Sequence, residues 1–182
     1  MEPVSDAIEQ WVGEMTQYTP QEWERMPEIY LYMDQVLSYM EKQLKLFDRD
    51  SEGLLTSSMI NNYVKAGVLP RPEKKKYSRE HLAMLTMICM LKSTLSIPDI
   101  SALMHALLEE SSEEEMYGRF CEGQREALEE VCGRVREKAP QGKQELARLA
   151  AQLSIEAAAR RTGAERILSE LARRKEDGEP NG

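Results

Sequence analysis

Aromatic residues and β-branched runs are scarce in this sequence. The chain of 182 residues contains two Phe, two Trp and seven Tyr, so that aromatic residues make up only 6% of it. Because β-strands depend on such residues, their scarcity argues against a sheet-based fold and predicts an all-α protein. A hydrophobic fraction of 41% is nevertheless sufficient for one or two small domains with buried cores.

Cysteines and long apolar runs are also few. The three cysteines, Cys89, Cys121 and Cys132, form no CxxC pair, which argues against a disulfide framework or a cysteine-rich metal site. The first residues are acidic rather than apolar, and no apolar run reaches membrane-spanning length. We therefore expect a cytoplasmic protein with no membrane association and no cofactor.

Catalytic motifs are missing as well. His81 and His105 lie on different predicted helices, and neither accompanies a candidate nucleophile. No Gly-rich phosphate loop, GxSxG or HExxH sequence occurs. We therefore expect that the protein is not an enzyme.

What the sequence does contain is a local concentration of positive charge. The whole chain has a net charge of −8, but the segment from Met59 to His81 holds six cations and only two anions, a local charge of +4. Phosphates respond to the nearby field more than to the total charge, so this segment could contact an anionic polymer.

Capping residues and apolar spacing predict a series of helices. We expect one helix over residues 4–17, another that begins at the Thr19-Pro20 start signal, and a longer one that ends at about Phe47. Two more are expected, from Ser57 to Val64 and from Ser78 onwards. Further helices are predicted from Ser96 through Leu108, from Glu113 to Lys138, and from Lys143 to Lys175. This order divides the chain into N-terminal helices (1–47), a central module (48–110), a C-terminal helical region (111–175) and a disordered tail (176–182).

The informative stretch runs from Thr56 to Met104. A short capped helix carries small polar side chains (Ser57, Ser58, Asn61 and Asn62) on one side, while Ile60 and Tyr63 can pack on the other. Asparagine can bond adenine in the major groove. A Pro-bounded basic loop follows, and it is suited to contact phosphates beside that groove.

Here the sequence resembles the DNA-binding half of MerR-type regulators. The segment Tyr63-Val-Lys-Ala-Gly67-Val-Leu69-Pro70 corresponds to the family's Tyr-x-x-x-Gly-Leu-x-Pro pattern, Lys75-Lys76-Tyr77 to the end of its basic wing, and Leu95-Ser96-Ile97-Pro98-Asp99-Ile100 to the turn between its next helices. The stretch is also similar to an uncharacterised family of bacterial proteins related to this group. The resemblance implies a winged helix-turn-helix module and a bacterial transcriptional regulator. The chain departs from the family at Asn61 and Asn62, where an Arg is usual, and at Lys74, where an aromatic is usual.

These observations predict a surface that contacts double-stranded DNA. Its members are Ser57, Ser58, Asn61, Asn62, Tyr63, Lys65, Arg71, Lys74, Lys75, Lys76 and Tyr77. Three groups of these residues have a plainer alternative: the lysine run as a solvated loop, the asparagines as surface or capping residues, and the two tyrosines as packing residues. The alternative function is a helical protein–protein interaction module that kept the fold without binding DNA.

Two further features remain open at this stage. Asp48-x-Asp50-x-Glu52-Gly53 imitates half of an EF-hand loop, but Met59 occupies the twelfth position, so a simple turn is the preferred interpretation. Apolar residues of the C-terminal region predict either a homodimer interface or a contribution to a monomer core; they are Leu146, Leu149, Leu153, Ile167, Leu168 and Leu171. An unidentified effector or protein partner is compatible with either role of these apolar residues.

Overall fold

A computed structural model describes residues 4–47 and 54–178, and it contains seven α-helices there. They are α1 (Val4–Gln17), α2 (Met33–Leu44), α3 (Ser57–Lys65), α4 (Arg79–Leu91), α5 (Ile97–Leu108), α6 (Glu113–Lys138) and α7 (Lys143–Gly178). Short 3-10 turns cover Trp23–Arg25, Lys45–Phe47 and Ala139–Gln141. Within the described ranges there is no β-strand beyond two isolated bridges. The all-α class expected from the sequence is confirmed.

Contacts divide the chain into two units. The first, called here the terminal unit, combines residues 1–20 with 120–160, and the second, the central unit, combines 21–119 with 161–182. The predicted EF-hand-like turn lies outside the described residues, at positions 48–53. Helix α7 continues to Gly178, which includes the first three residues of the segment expected to be a disordered tail. The rest of that segment, 179–182, also lies outside the described residues.

The core of the central unit forms around α4. Nine consecutive residues of this helix, His81 to Cys89, are buried, as its nearly continuous apolar sequence predicts. Helix α2 packs against it with a face formed by Val36, Met40 and Leu44, and the Thr86 hydroxyl lies 3.9 Å from the Met40 sulfur. Helix α5 adds Ile100 and Met104 to the buried set.

Local signals explain where several helices begin and end. The side chains of Thr56 and Ser96 accept hydrogen bonds from the backbone N–H of Met59 and Asp99, each at 3.2 Å, and so cap α3 and α5. Gly67 ends the α3 segment at a φ of +73°, a left-handed conformation that glycine adopts without strain.

The prediction of a helix that begins at Thr19-Pro20 is wrong. No helix begins there, and the segment forms only the 3-10 turn Trp23–Arg25. The Tyr117 hydroxyl donates a hydrogen bond of 2.8 Å to the backbone carbonyl of Gln21, and the Trp23 ring lies 6.3 Å from that of Tyr117. These contacts, distant in sequence, hold the segment in a conformation that local capping rules do not predict.

The terminal unit has its own small core. Val12 and Met15 of α1 are buried, and α1 contacts the turn Ala139–Gln141. Arg134 holds both carboxylate oxygens of Glu156 at 2.7 and 2.8 Å, a bidentate pair that fixes α6 to the first half of α7. Trp11, also on α1, is 38% exposed.

Candidate functional site

Helix α3 has one buried and one solvent-facing side, as its sequence predicts. Ile60 and Tyr63 are 0% and 5% exposed and anchor the helix to the central unit. The polar residues proposed to read bases or contact phosphates are all exposed: Ser57, Ser58, Asn61, Asn62 and Lys65. A short helix anchored on one side and polar on the other can present its side chains to a partner without losing core contacts.

The chain after α3 is fixed to the core before it reaches the basic loop. The backbone N–H groups of Val68 and Leu69 both donate to the Tyr63 carbonyl, at 3.1 and 3.2 Å. The side chains of these two residues are buried, at 3% and 1% exposure. Pro70 and Arg71 are then exposed, so the loop leaves the core at this point.

The basic loop reverses direction in a tight turn formed by Glu73, Lys74, Lys75 and Lys76. The Lys76 N–H donates a hydrogen bond of 2.9 Å to the Glu73 carbonyl. Lys74 and Lys75 have φ values of +50° and +63°, the pattern of a type I′ turn, which Asn-Gly usually occupies. A lysine side chain at such a φ strains the backbone by roughly 1 kcal/mol. Both lysines are exposed, so no burial of their side chains compensates for that strain.

A backbone bridge ties the end of this turn to the segment before α2. Leu31 and Tyr77 exchange two hydrogen bonds, of 2.9 and 2.8 Å, in an antiparallel bridge. The ammonium group of Lys76 lies 5.2 Å from the centre of the Tyr32 ring, within the range of a cation–π contact.

His81 holds the two ends of the loop together. Its Nδ1 accepts a hydrogen bond of 3.1 Å from the Ser78 backbone N–H. Nδ1 therefore carries no proton, and Nε2–H donates to the Pro70 carbonyl at 3.2 Å. Burial lowers the pKa of His81, although the Pro70 carbonyl opposes that shift. The neutral ring that this arrangement requires is thus also the form that burial favours.

The two tyrosines predicted for the surface are packing residues. Tyr63 and Tyr77 are 5% and 3% exposed. Burial, with a smaller contribution from Cys89, raises the pKa of Tyr63 to about 12, and burial also raises the pKa of Tyr77. Both rings therefore support the loop and α3 from below, and they offer little surface to a partner.

Of the six cations of the +4 segment, Lys76 lies over the Tyr32 ring, and the other five fall into two groups. Arg79 donates to the Met26 carbonyl at 3.2 Å, lies 3.3 Å from Glu28 and stacks near Trp23. Its guanidinium group is therefore engaged by contacts within the fold. By contrast, no carboxylate within residues 4–47 and 54–178 forms a salt bridge with Lys65, Arg71, Lys74 or Lys75. Those four charges are available to a partner, and sequence alone could not separate them from Arg79.

Sequence reasoning missed the segment beside the loop. Tyr30 and Tyr32 are 53% and 51% exposed, and Ile29 is 69% exposed. The alternation of Tyr30, Leu31 and Tyr32 is a strand-like signal that could have indicated them. The signal is weak because only Leu31 forms a bridge, and because its partner, Tyr77, is far away in the sequence.

Residues 4–47 and 54–178 contain neither a metal-binding cluster nor a membrane-spanning helix. No group of three or more His, Cys, Asp or Glu side chains in these residues is arranged to hold a metal ion. None of the helices there combines the length and apolar character needed to cross a membrane.

Comparison with protein-family models gives a match over residues 21–121, to a model described as Domain of unknown function (DUF1836). The match spans more than half of the chain and covers α2 to α5 and the basic loop. No curated protein matches, and no solved structure matches. The expected resemblance is thus confirmed in part: the match is to an uncharacterised domain family, and not to MerR-type regulators.

Proposed function

The chain belongs to the DUF1836 family, and from this premise we propose that it binds double-stranded DNA and regulates transcription. In this proposal α2 and α3 act as a helix-turn-helix, with α3 in the major groove. The loop from Pro70 to Ser78 acts as a small wing that contacts the adjacent phosphates. The contacting residues are Ser57, Ser58, Asn61, Asn62, Lys65, Arg71, Lys74, Lys75 and Lys76.

The observation that carries the proposal is the conformation of Lys74 and Lys75. Two exposed lysines occupy a turn whose positive φ values, +50° and +63°, favour Asn-Gly instead. Backbone strain of this kind persists where the side chain serves a function. Neither ammonium group forms a salt bridge within the part of the chain that the structure describes, and at the tip of a turn both are suited to bind phosphate oxygens.

Selection of duplexes from a random pool by the purified full chain tests the proposal directly. Enrichment of a sequence motif is the expected result, since a helix in the major groove distinguishes all four base pairs. Failure to retain any duplex at low salt would contradict DNA binding and leave the protein-interaction alternative.

We predict that Asn61→Ala and Asn62→Ala relax the selected motif while the fold remains intact. Both side chains are exposed on α3, and one bidentate contact to adenine discriminates against the wrong base by about 1–3 kcal/mol. Affinities measured against the motif and its single-base variants give the size of the effect. Gln144→Ala, which removes another exposed amide at the start of α7, is the matched control. If neither asparagine variant differs from this control, these residues do not read bases.

We also propose a homodimer, formed at least partly through the C-terminal helices. One short recognition helix covers few base pairs, and dimerisation duplicates the contact at a fixed spacing. Of the apolar residues considered, Leu149 and Leu168 are buried within the chain, whereas Ile167 and Leu171, one helical turn apart, are 63% and 44% exposed.

Sedimentation equilibrium on the full chain tests this assembly. We expect a dimer at micromolar concentration, and a monomer for the double variant Ile167→Glu and Leu171→Glu, because two carboxylates would be buried in the interface. Ile155→Glu, at a residue of the same helix that is 70% exposed, should remain dimeric. A monomeric wild-type protein would contradict the proposal.

A further inference from the structure

An exposed aromatic edge lies beside the basic turn, outside the set of residues proposed above to contact DNA. It consists of Tyr30 and Tyr32, each about half exposed at 53% and 51%. Neither hydroxyl donates a hydrogen bond to another residue within the described ranges. We refer to these two residues as the tyrosine edge.

Backbone geometry places the two rings on one side of the segment. Leu31 forms the bridge with Tyr77 and is only 7% exposed, so its side chain points into the core. Successive side chains of an extended segment point to opposite sides. Tyr30 and Tyr32 therefore both point outwards, next to the end of the turn that carries Lys74, Lys75 and Lys76.

The local charge favours an anionic partner. The turn provides three lysines against the single carboxylate of Glu73. Two carboxylates flank the tyrosine edge: Glu28, which lies 3.3 Å from Arg79, and Asp34, which is exposed. With Glu73 they make three negative charges against the four positive charges of the three lysines and Arg79, so an acidic polymer held by the lysines would meet the tyrosine edge on a surface with a net positive charge.

The contact between Lys76 and Tyr32 indicates which part of the ring remains available. The ammonium group lies over the ring, 5.2 Å from its centre, so that face is covered. A base of a single strand would need an open ring face on which to stack. The hydroxyl of Tyr32 donates to no residue that the structure describes, and a phenol hydroxyl is a suitable donor to a phosphate oxygen.

We infer that the hydroxyls of Tyr30 and Tyr32 donate hydrogen bonds to backbone phosphates of the same duplex whose neighbouring phosphates are bound by the lysine turn. This inference rests on the proposed DNA-binding function and extends its surface from the loop to the segment before α2. The tyrosines are neutral donors, so they fix the position of the backbone without adding to the salt dependence of binding. The lysines supply the electrostatic attraction.

The test uses the full chain and labelled random-sequence duplexes of about 30 base pairs, roughly three helical turns. Tyr30→Phe and Tyr32→Phe keep each ring and remove only the hydroxyl. Each is expected to weaken binding roughly tenfold, the effect of losing a hydrogen bond to a charged group. The plot of log affinity against log salt should shift downwards without a change of slope, because no cation is lost.

Tyr39→Phe is the matched control, because the Tyr39 hydroxyl donates to the Gln21 side chain within the protein, at 2.6 Å. Binding equal to that of this control for both tyrosine-edge variants would overturn the inference while leaving DNA binding intact. A reduced salt slope would also overturn it, since the loss would then come from displaced lysines. Preference of the wild type for the single strands over the duplex would overturn the assignment to duplex phosphates. If the wild type retains no duplex at all, the proposed function itself fails.

Discussion

Replacement of Lys74, Lys75 and Lys76 by alanine should lower the affinity for duplex DNA several hundredfold at about 0.1 M salt, and to a similar degree for every sequence. Each phosphate contact contributes about 0.9 to the slope of log affinity against log salt, so three lost contacts should reduce the slope by nearly 3. Lys74 and Lys75 are exposed at the tip of the turn, and their removal takes no side chain from the core. Fluorescence anisotropy across a salt series measures both quantities.

A triple variant with the same change of net charge separates this local effect from a general one. Arg119, Arg125 and Lys143 are exposed cations outside the basic loop, and their joint replacement by alanine should leave the slope almost unchanged. If the two triple variants behave alike, DNA responds to the total charge, and the wing assignment is wrong. An unchanged affinity of the lysine variant at low salt would also show that the wing assignment is wrong.

Replacement of His81 by leucine should reduce the free energy of unfolding by about 2–4 kcal/mol near pH 7.5. The substitution removes the His81 partner of the Pro70 carbonyl and of the Ser78 N–H, both in part-buried hydrogen bonds, and a polar group left unpaired costs up to about 1–3 kcal/mol. Urea denaturation followed by circular dichroism gives the value. His105→Leu, at the exposed histidine of α5, should change it by less than about 0.5 kcal/mol.

The same side chain should make stability depend on pH. Burial lowers the pKa of His81 in the folded chain, so the unfolded chain binds the proton first as the pH falls through about 6.5. The wild type should therefore be most stable above about pH 6.5 and lose stability as the pH falls below that value, whereas His81→Gln should lose less. Glu80, whose pKa is lowered chiefly by a hydrogen bond from Ser78, contributes only at lower pH. Equal pH dependence of the wild type and the glutamine variant would show that His81 stays neutral in both states.

Elements defined by local signals could be predicted from the sequence. The limits of α1, the caps of α3 and α5, the stop at Gly67 and the burial of α4 all follow from residues within one or two turns of each other. The polar side of α3 was visible in the spacing of Ser57, Ser58, Asn61 and Asn62 for the same reason.

Features that depend on distant contacts could not be predicted. The Thr19-Pro20 signal fails because Tyr117 and Trp23 fix the segment in another conformation. The turn at Lys74 and Lys75 contains neither glycine nor asparagine, so its left-handed backbone has no local signature. Within the +4 segment, Arg79 differs from Lys74 and Lys75 by its contacts with Met26, Glu28 and Trp23, which the sequence does not show.

The burial of α4 on every side has a consequence for how the central unit opens. A helix with a solvent-facing side can loosen while its neighbours stay in place, but no part of α4 from His81 to Cys89 can separate without exposing core. Local unfolding of α4 therefore requires disruption of the whole core and is the rarest opening event in the unit. Helix α3 is anchored only by its inner side, mainly through Ile60 and Tyr63, and can shift at a smaller free-energy cost. The rigid helix thus keeps the unit assembled while the exposed one retains the freedom to adjust to the shape of a partner.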